Sequence, residues 1–352
     1  MTNLDRLTMP PSDYDPNAIQ LPPLQIGPSL AQWEQQRQVL RGRWLEFLGH
    51  GPEQVPLEPQ ILSEQHFGDV SRTLVSYQVE DGCRVEAYVM QPTDGECLPA
   101  VLVLHPTTSQ TIESPAGTDT RPSLRFSVNL ARRGYVTVTP RNYLWQYRGV
   151  ADERWHESQT TRLLLETWPQ WTGMGKMLWD CIRATDYMAT LENVDPRRLG
   201  CAGHSLGAKE VLYAMAFDPR LRAGLSCEGG VGISFSNWDA PWYLGKRIHT
   251  RPDLDHHQLL ALAASRALLI IGGGAEPGRR AEGTSPGADG PLTWNYLEAA
   301  RPAYALYGTS NALGYLLHDE GHYLPPQHEH VVYDWFEHFL GAGEPTAWHR
   351  ET

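Results

Sequence analysis

Residues 199–217 read LGCAGHSLGAKEVLYAMAF. A short apolar run, Leu199–Ala202, enters the pattern Gly203-His204-Ser205-Leu206-Gly207, and a helix-forming run, Ala208–Ala216, leaves it. A strand that turns directly into a helix must bend sharply, and a Cβ at either glycine would crowd that bend. A serine at the apex is held in a strained conformation with its hydroxyl exposed above the sheet, and the helix directs its positive end toward it. Ser205 is therefore the candidate nucleophile. The five-residue pattern alone is weak; its weight comes from the strand before it and the helix after it.

Working outward, apolar runs of strand length alternate with runs of helical period. AVLVL (100–104) is a continuous apolar run, as expected for a strand covered on both faces, and YVTVT (135–139), 223–227, ALLII (267–271) and 313–317 read as further strands. Between them lie helices expected near 121–133, 174–192, 206–217, 256–264, 293–307 and 327–340. Strand, helix and short connection in alternation predict an α/β fold, with a mostly parallel central sheet and helices on both faces. Residues 71–79 and 84–91 alternate around Asp81-Gly82 and read as an antiparallel pair ahead of it. Upstream, a proline-rich extended arm (residues 1–28) leads to a helix that starts at Ser29, with Gln32 as capping partner, and stops at Gly49. The expected division is an N-terminal arm and helix at 1–65 and a catalytic domain at 66–345.

A serine hydroxyl needs a base to become nucleophilic. His322 follows the last apolar strand, in His318-Asp319-Glu320-Gly321-His322, and Gly321 permits a turn that presents its ring. His318, at the end of the strand, reads as structural. A third group must orient the imidazole. The first choice is Glu276, in the glycine-rich segment after ALLII; Asp289 is its rival, and Glu228, after the preceding strand, comes third. Two backbone N–H groups must hold the oxyanion. Leu206 supplies one, and Thr107, after His105-Pro106, the other, because Pro106 has no N–H.

With these residues assigned, the chain resembles the α/β-hydrolase superfamily, in the branch of bacterial dienelactone-hydrolase-like and acetyl-xylan-esterase-like esterases related to prolyl-oligopeptidase catalytic domains. The carrying segments include LHPTT (104–108), ARRGYVTVTPRNY (131–143), the run 174–224 and HDEGHYLPP (318–326). The resemblance spans residues 66–342. It implies the α/β-hydrolase fold, Ser205 as nucleophile, His322 as base and an acid after ALLII. That branch commonly carries an aspartate soon after the strand, whereas here the segment is long and offers Glu276 first. The implied function is a serine carboxylic-ester hydrolase, working through an acyl-enzyme on a small-molecule ester such as an acetylated carbohydrate or aryl ester. The alternatives are a serine peptidase or amidase and a non-catalytic binding module of the same fold.

Composition narrows the partners. Of 352 residues, 29 are Lys or Arg and 41 Asp or Glu, a formal charge of −12 that disfavours a general nucleic-acid or anionic-membrane binder. Five cysteines at wide spacing, with no CxxC, give neither a disulfide framework nor a structural zinc site. No metal or cofactor is expected. The N-terminal residues lack a basic start followed by an apolar core, so the expectation is a cytoplasmic protein without a membrane span. A homo-oligomer enters as the alternative cover for the apolar stripe Trp33, Leu40 and Trp44 of the N-terminal helix, whose simplest cover is the body of the same chain. Trp145, Trp238 and Trp242 leave the C-terminal side of strands and are candidate walls of an aromatic pocket.

Overall fold

The computed structural model describes residues 5–117, 124–146, 156–274 and 287–341. Its frame is one nine-stranded sheet in the order β1-β2-β3-β5-β4-β6-β7-β8-β9. The strands are β1 (Gln60–Phe67), β2 (Val70–Glu80), β3 (Cys83–Pro92), β4 (Leu98–Leu104), β5 (Val136–Pro140), β6 (Val194–His204), β7 (Leu221–Cys227), β8 (Ala267–Gly272) and β9 (Leu313–Leu317). The ladders β1–β2, β2–β3 and β3–β5 are antiparallel. From β5 through β4, β6, β7 and β8 to β9 every pairing is parallel. In β8 all residues are buried, and in β4 all but the first. Strands buried on both sides are the reason these segments read as unbroken apolar runs.

The helices are α1 (Leu30–Leu48), α2 (Phe126–Ala131), α3 (His156–Thr167), α4 (Gly173–Ala189), α5 (Leu206–Phe217), α6 (His257–Ala263), α7 (Thr293–Leu306) and α8 (Glu329–Leu340). Those expected at 174–192, 206–217, 256–264, 293–307 and 327–340 match to within a few residues. Two elements were not anticipated. In β1 every residue is exposed, so it lacks the apolar alternation that marks a half-buried strand. The sheet therefore begins at Gln60, ahead of residue 66. Helix α3 falls in a tryptophan-rich stretch that offered no clear period.

Helix α1 is capped as expected: Ser29 accepts from Gln32 N–H, and Gly49 ends the helix at φ 90°. Trp33, Leu40, Trp44, Phe47 and Leu48 are buried against the rest of the chain, while Leu30 is exposed in the first turn. Trp44 donates its indole N–H to Gln258 Oε1 at 2.9 Å and stacks on His256. The arm before α1 is extended but fastened: Leu7 is buried, Asn295 donates to Asp15 O, and the His257 ring meets Pro22 O at 3.0 Å. Burial of these side chains contributes several kcal/mol at roughly 25 cal/mol per Å².

Chain order fixes where a crevice opens. After β4 the chain moves outward to β5, then returns to place β6 on the other side of β4. Loops leaving β4 and β6 diverge at that switch point, at the C-terminal ends of the parallel strands, where open α/β sheets hold their ligands.

Candidate active site

Ser205 follows the last residue of β6 and precedes the first of α5. Its backbone lies at φ 57°, ψ −113°, a region that L residues rarely adopt and that is retained where the surroundings enforce it. Its N–H donates to Cys227 O at 2.9 Å, tying the turn to the end of β7. Both glycines of the motif are required by close approach. A Cβ at Gly203 would lie 2.3 Å from the Gly207 carbonyl, and one at Gly207 would lie 2.1 Å from Leu104 O.

His322 lies in the loop after β9. Gly321 takes φ 92°, and its carbonyl passes so near Gly273 that a Cβ there would be 1.8 Å away. This turn brings His322 Nε2 to 2.9 Å from Ser205 Oγ. The ring also packs on His204, centroid to centroid 4.9 Å. On its far side, Nδ1 is 3.4 Å from Glu228 Oε2.

Glu228 is the residue after β7. Its backbone is left-handed at φ 60°, its N–H donates to Ile271 O, and its side chain is fully buried. Oε2 also accepts the Ala288 N–H at 2.6 Å. Burial pushes its pKa up to about 7, against the opposing pull of the His322 hydrogen bond and the Ala288 amide.

The other two carboxylates considered lie elsewhere. Glu276 lies outside the described residues. Asp289 is buried in the same corner, but its oxygens accept Gly230 N–H at 2.6 Å, Val231 N–H at 2.7 Å and Thr293 Oγ1–H at 2.8 Å. It braces the loop that follows Glu228 rather than meeting His322. Expecting the acid on the strand before the histidine strand ranked Glu228 third. Its signal was an apolar strand ending directly in Cys227-Glu228-Gly229-Gly230.

No family model matches the chain. Among solved structures, a glucuronoyl esterase from Solibacter usitatus superposes with a TM-score of 0.67 at 16% identity, over 94% of this chain and 100% of that one. An acetyl xylan esterase from Paenibacillus sp. R4 gives 0.56 at 16% identity, over 96% and 100%. With the parallel sheet and a nucleophile-type turn after β6, these likenesses fix the architecture. The chain has the α/β-hydrolase fold. Two curated relatives are more similar in sequence. "Putative hydrolase YtaP" of Bacillus subtilis (strain 168) is 28% identical over 190 residues, 52% of this chain and 60% of that protein. Carbohydrate esterase MZ0003, from an unknown prokaryotic organism, is 29% identical over 119 residues, 29% of this chain and 28% of that one. The matched stretches thus span less than two thirds of either relative.

In this hydrolase frame, the turn after β4 carries Thr107, which is exposed, and Leu104 at the end of β4 approaches α5 at Gly207. His105 is buried behind that turn. Its Nδ1 faces Pro106 O at 2.8 Å and its Nε2 accepts Asn142 N–H at 3.0 Å. Burial lowers its pKa to about 4, so the ring stays neutral and serves to shape the turn. Trp145 packs edge-on against His105 at 5.2 Å, at the margin of the same turn. Trp238 has no surface for a ligand. It is fully buried, donates to Gly230 O, and carries the Lys209 ammonium 3.9 Å over its ring. Trp242 is half-buried, and its carbonyl accepts the Tyr143 hydroxyl. Packing therefore accounts for Trp238 entirely, while Trp145 packs at the margin of the turn after β4. Among the described residues there is no group of three or more His, Cys, Asp or Glu arranged to hold a metal ion. None of the described helices is long and apolar enough to cross a membrane.

Proposed function

We propose that the chain is a serine carboxylic-ester hydrolase in which Ser205, His322 and Glu228 form the catalytic triad. The observation that carries this reading is the line from Ser205 Oγ through His322 to the buried Glu228, at 2.9 and 3.4 Å. In the reaction, Ser205 Oγ attacks the ester carbonyl while His322 Nε2 takes its proton. Glu228 holds the ring with its proton on Nδ1 and offsets the charge that develops on the imidazolium. The carbonyl oxygen, now anionic, is held by the N–H groups of Leu206 and Thr107. Collapse breaks the ester C–O bond, and His322 returns its proton to the departing alcohol. Water then attacks the acyl-enzyme by the same route and releases the acid and Ser205.

Carbohydrate esters are the favoured substrate class. This extension rests on the named activities of the similar proteins, which include glucuronoyl, acetyl xylan and carbohydrate esterases. The test is covalent labelling of Ser205 by a fluorophosphonate, followed by turnover on acetyl, aryl and methyl-glucuronoyl esters. Ser205→Ala is expected to lose both the label and about 10⁴–10⁶ of kcat while keeping its fold. Near-wild-type turnover in that variant would overturn the assignment.

A further inference from the structure

The triad leaves one carboxylate oxygen unaccounted for. Glu228 Oε2 faces His322 and Ala288 N–H, but the fully buried Oε1 has no hydrogen-bond partner. Facing it at 3.8 Å is Nε2 of His318, whose side chain is 2% exposed and which also has no partner. Two unpartnered polar atoms aimed at each other in a dry corner are costly unless they serve one another. Glu320 N–H donates to Nδ1 at 3.3 Å, which favours the proton on Nε2, the nitrogen that faces Glu228, although the Tyr323 carbonyl also draws on the ring's proton. The backbone that carries the ring is itself anchored, because the His318 amide N–H donates to Gly272 O at 2.9 Å.

We propose that His318 is a positioning residue of the site: its Nε2–H holds Glu228 Oε1 and keeps that carboxylate anionic and turned toward His322. The proposal rests on the triad reading above. A separation of 3.8 Å is long for a hydrogen bond; it closes with a small ring rotation as charge develops on His322, as catalytic contacts do on leaving the resting state. Glu228 is flanked by two histidines, with Asp289, Cys227 and Tyr315 also around it. His318 in turn faces His328, stacked at 5.9 Å, and Tyr323, Asp319 and Glu320. Burial, assisted by His328, lowers the His318 pKa to about 4. It therefore donates as a neutral ring throughout the working range, and its own titration does not enter the profile.

The sign follows directly. A donor on Oε1 favours ionised Glu228, so removing it makes the carboxylate easier to protonate and moves the acid limb of kcat/KM to higher pH. Two substitutions divide the ring's two contacts. His318→Asn keeps an acceptor near the Nδ1 position for Glu320 N–H but loses the donor, whereas His318→Gln keeps a donor near the Nε2 position. The experiment measures kcat/KM for p-nitrophenyl acetate against pH in these variants and in His318→Leu, with melting temperatures alongside. The expected result is an acid limb raised by about one pH unit in Asn and Leu, a roughly tenfold loss below it, and a near-native limb in Gln. If the Leu variant fails to fold, the Asn and Gln pair still gives the answer. An unmoved limb in Asn, or the same shift in Asn and Gln, overturns the proposal. Fluorophosphonate labelling of wild-type Ser205 separates the two failures: without label the triad itself falls, whereas with label and an unmoved limb only the role of His318 does.

Discussion

Glu228 and Asp289 are buried carboxylates in one corner of the molecule, separated by 61 positions in sequence and held by adjoining loops, yet their surroundings differ in kind. Asp289 is given three donors, two from backbone and one from Thr293. Glu228 is given a single backbone donor and otherwise faces histidine rings. Burial raises the pKa of both, the common consequence of taking a carboxylate out of water. What separates them is the use of the oxygens. Saturated oxygens hold a loop in place. Oxygens left to meet a titratable ring can respond when that ring gains a proton. A buried carboxylate is thus read for function from which groups face it, not from depth alone.

The comparison breaks most visibly by exchanging each acid for its amide. Glu228→Gln keeps the volume but cannot hold the His322 Nδ1 proton as an anion does. The expected loss in kcat is about 10²–10⁴, with no loss of melting temperature. Asp289→Asn places an NH₂ group, itself a donor, among three donors. It is expected to cost stability, about 1–3 kcal/mol by denaturant unfolding, with a smaller loss of kcat. If Asp289→Asn were the slower enzyme and Glu228→Gln the less stable protein, the two roles would be reversed.

The candidate nucleophile and base were legible in the sequence because each sits at the end of a buried strand, and buried strands announce themselves as apolar runs. Ser205 had two glycines whose need is purely steric, and Gly321 gave His322 its turn. Glu228 came third on those signals, because sequence order does not show which strand end faces the imidazole. β7 lies between β6 and β8 in the sheet, so a carboxylate at its end is beside the nucleophile loop, and the loop after β9 reaches across β8 to bring His322 within 3.4 Å of it. That adjacency is a property of the folded chain. Strand β1 was invisible for a different reason: an edge strand with every residue exposed has no buried face to impose a pattern. The tryptophans shared one positional signal, leaving the C-terminal side of strands, and burial sorted Trp238 from Trp145.

The raised pKa of Glu228 gives a second, thermodynamic way to sharpen the contrast. Its folded-state value of about 7 lies above its ordinary 4.5, so folding favours the protonated form. The contribution is fully present below pH 4.5 and is lost as pH rises through 7. On the order of 3 kcal/mol is involved, since each unit is worth about 1.4 kcal/mol. Glu228→Gln removes this dependence. Its stability relative to wild type is therefore expected to rise between pH 4.5 and pH 7.5, measured by urea unfolding at each pH. At neutral pH it should be the more stable protein and Asp289→Asn the less stable one. A stability difference between Glu228→Gln and wild type that stays flat across that range would show that burial does not raise the Glu228 pKa.

The mildest change touches Asp289 through one of its donors. Thr293 begins α7, is fully buried, donates Oγ1–H to Asp289 Oδ1 at 2.8 Å, and accepts Gly290 N–H at 3.4 Å. Valine has nearly the same shape, so Thr293→Val removes the hydroxyl without opening a cavity. Asp289 keeps its bonds to Gly230 and Val231 N–H, and the loop after Glu228 stays braced at its backbone. The expected cost is about 1 kcal/mol of stability, the net value of a single buried hydrogen bond. Turnover should remain within about twofold, because a braced loop leaves the His322–Glu228 distance unchanged. The measurement is kcat/KM beside the melting temperature. A tenfold loss of kcat/KM at unchanged melting temperature would mean that strain at Asp289 is transmitted to Glu228. The two carboxylates would then act as one coupled unit, and the division between a bracing acid and a catalytic one would no longer hold.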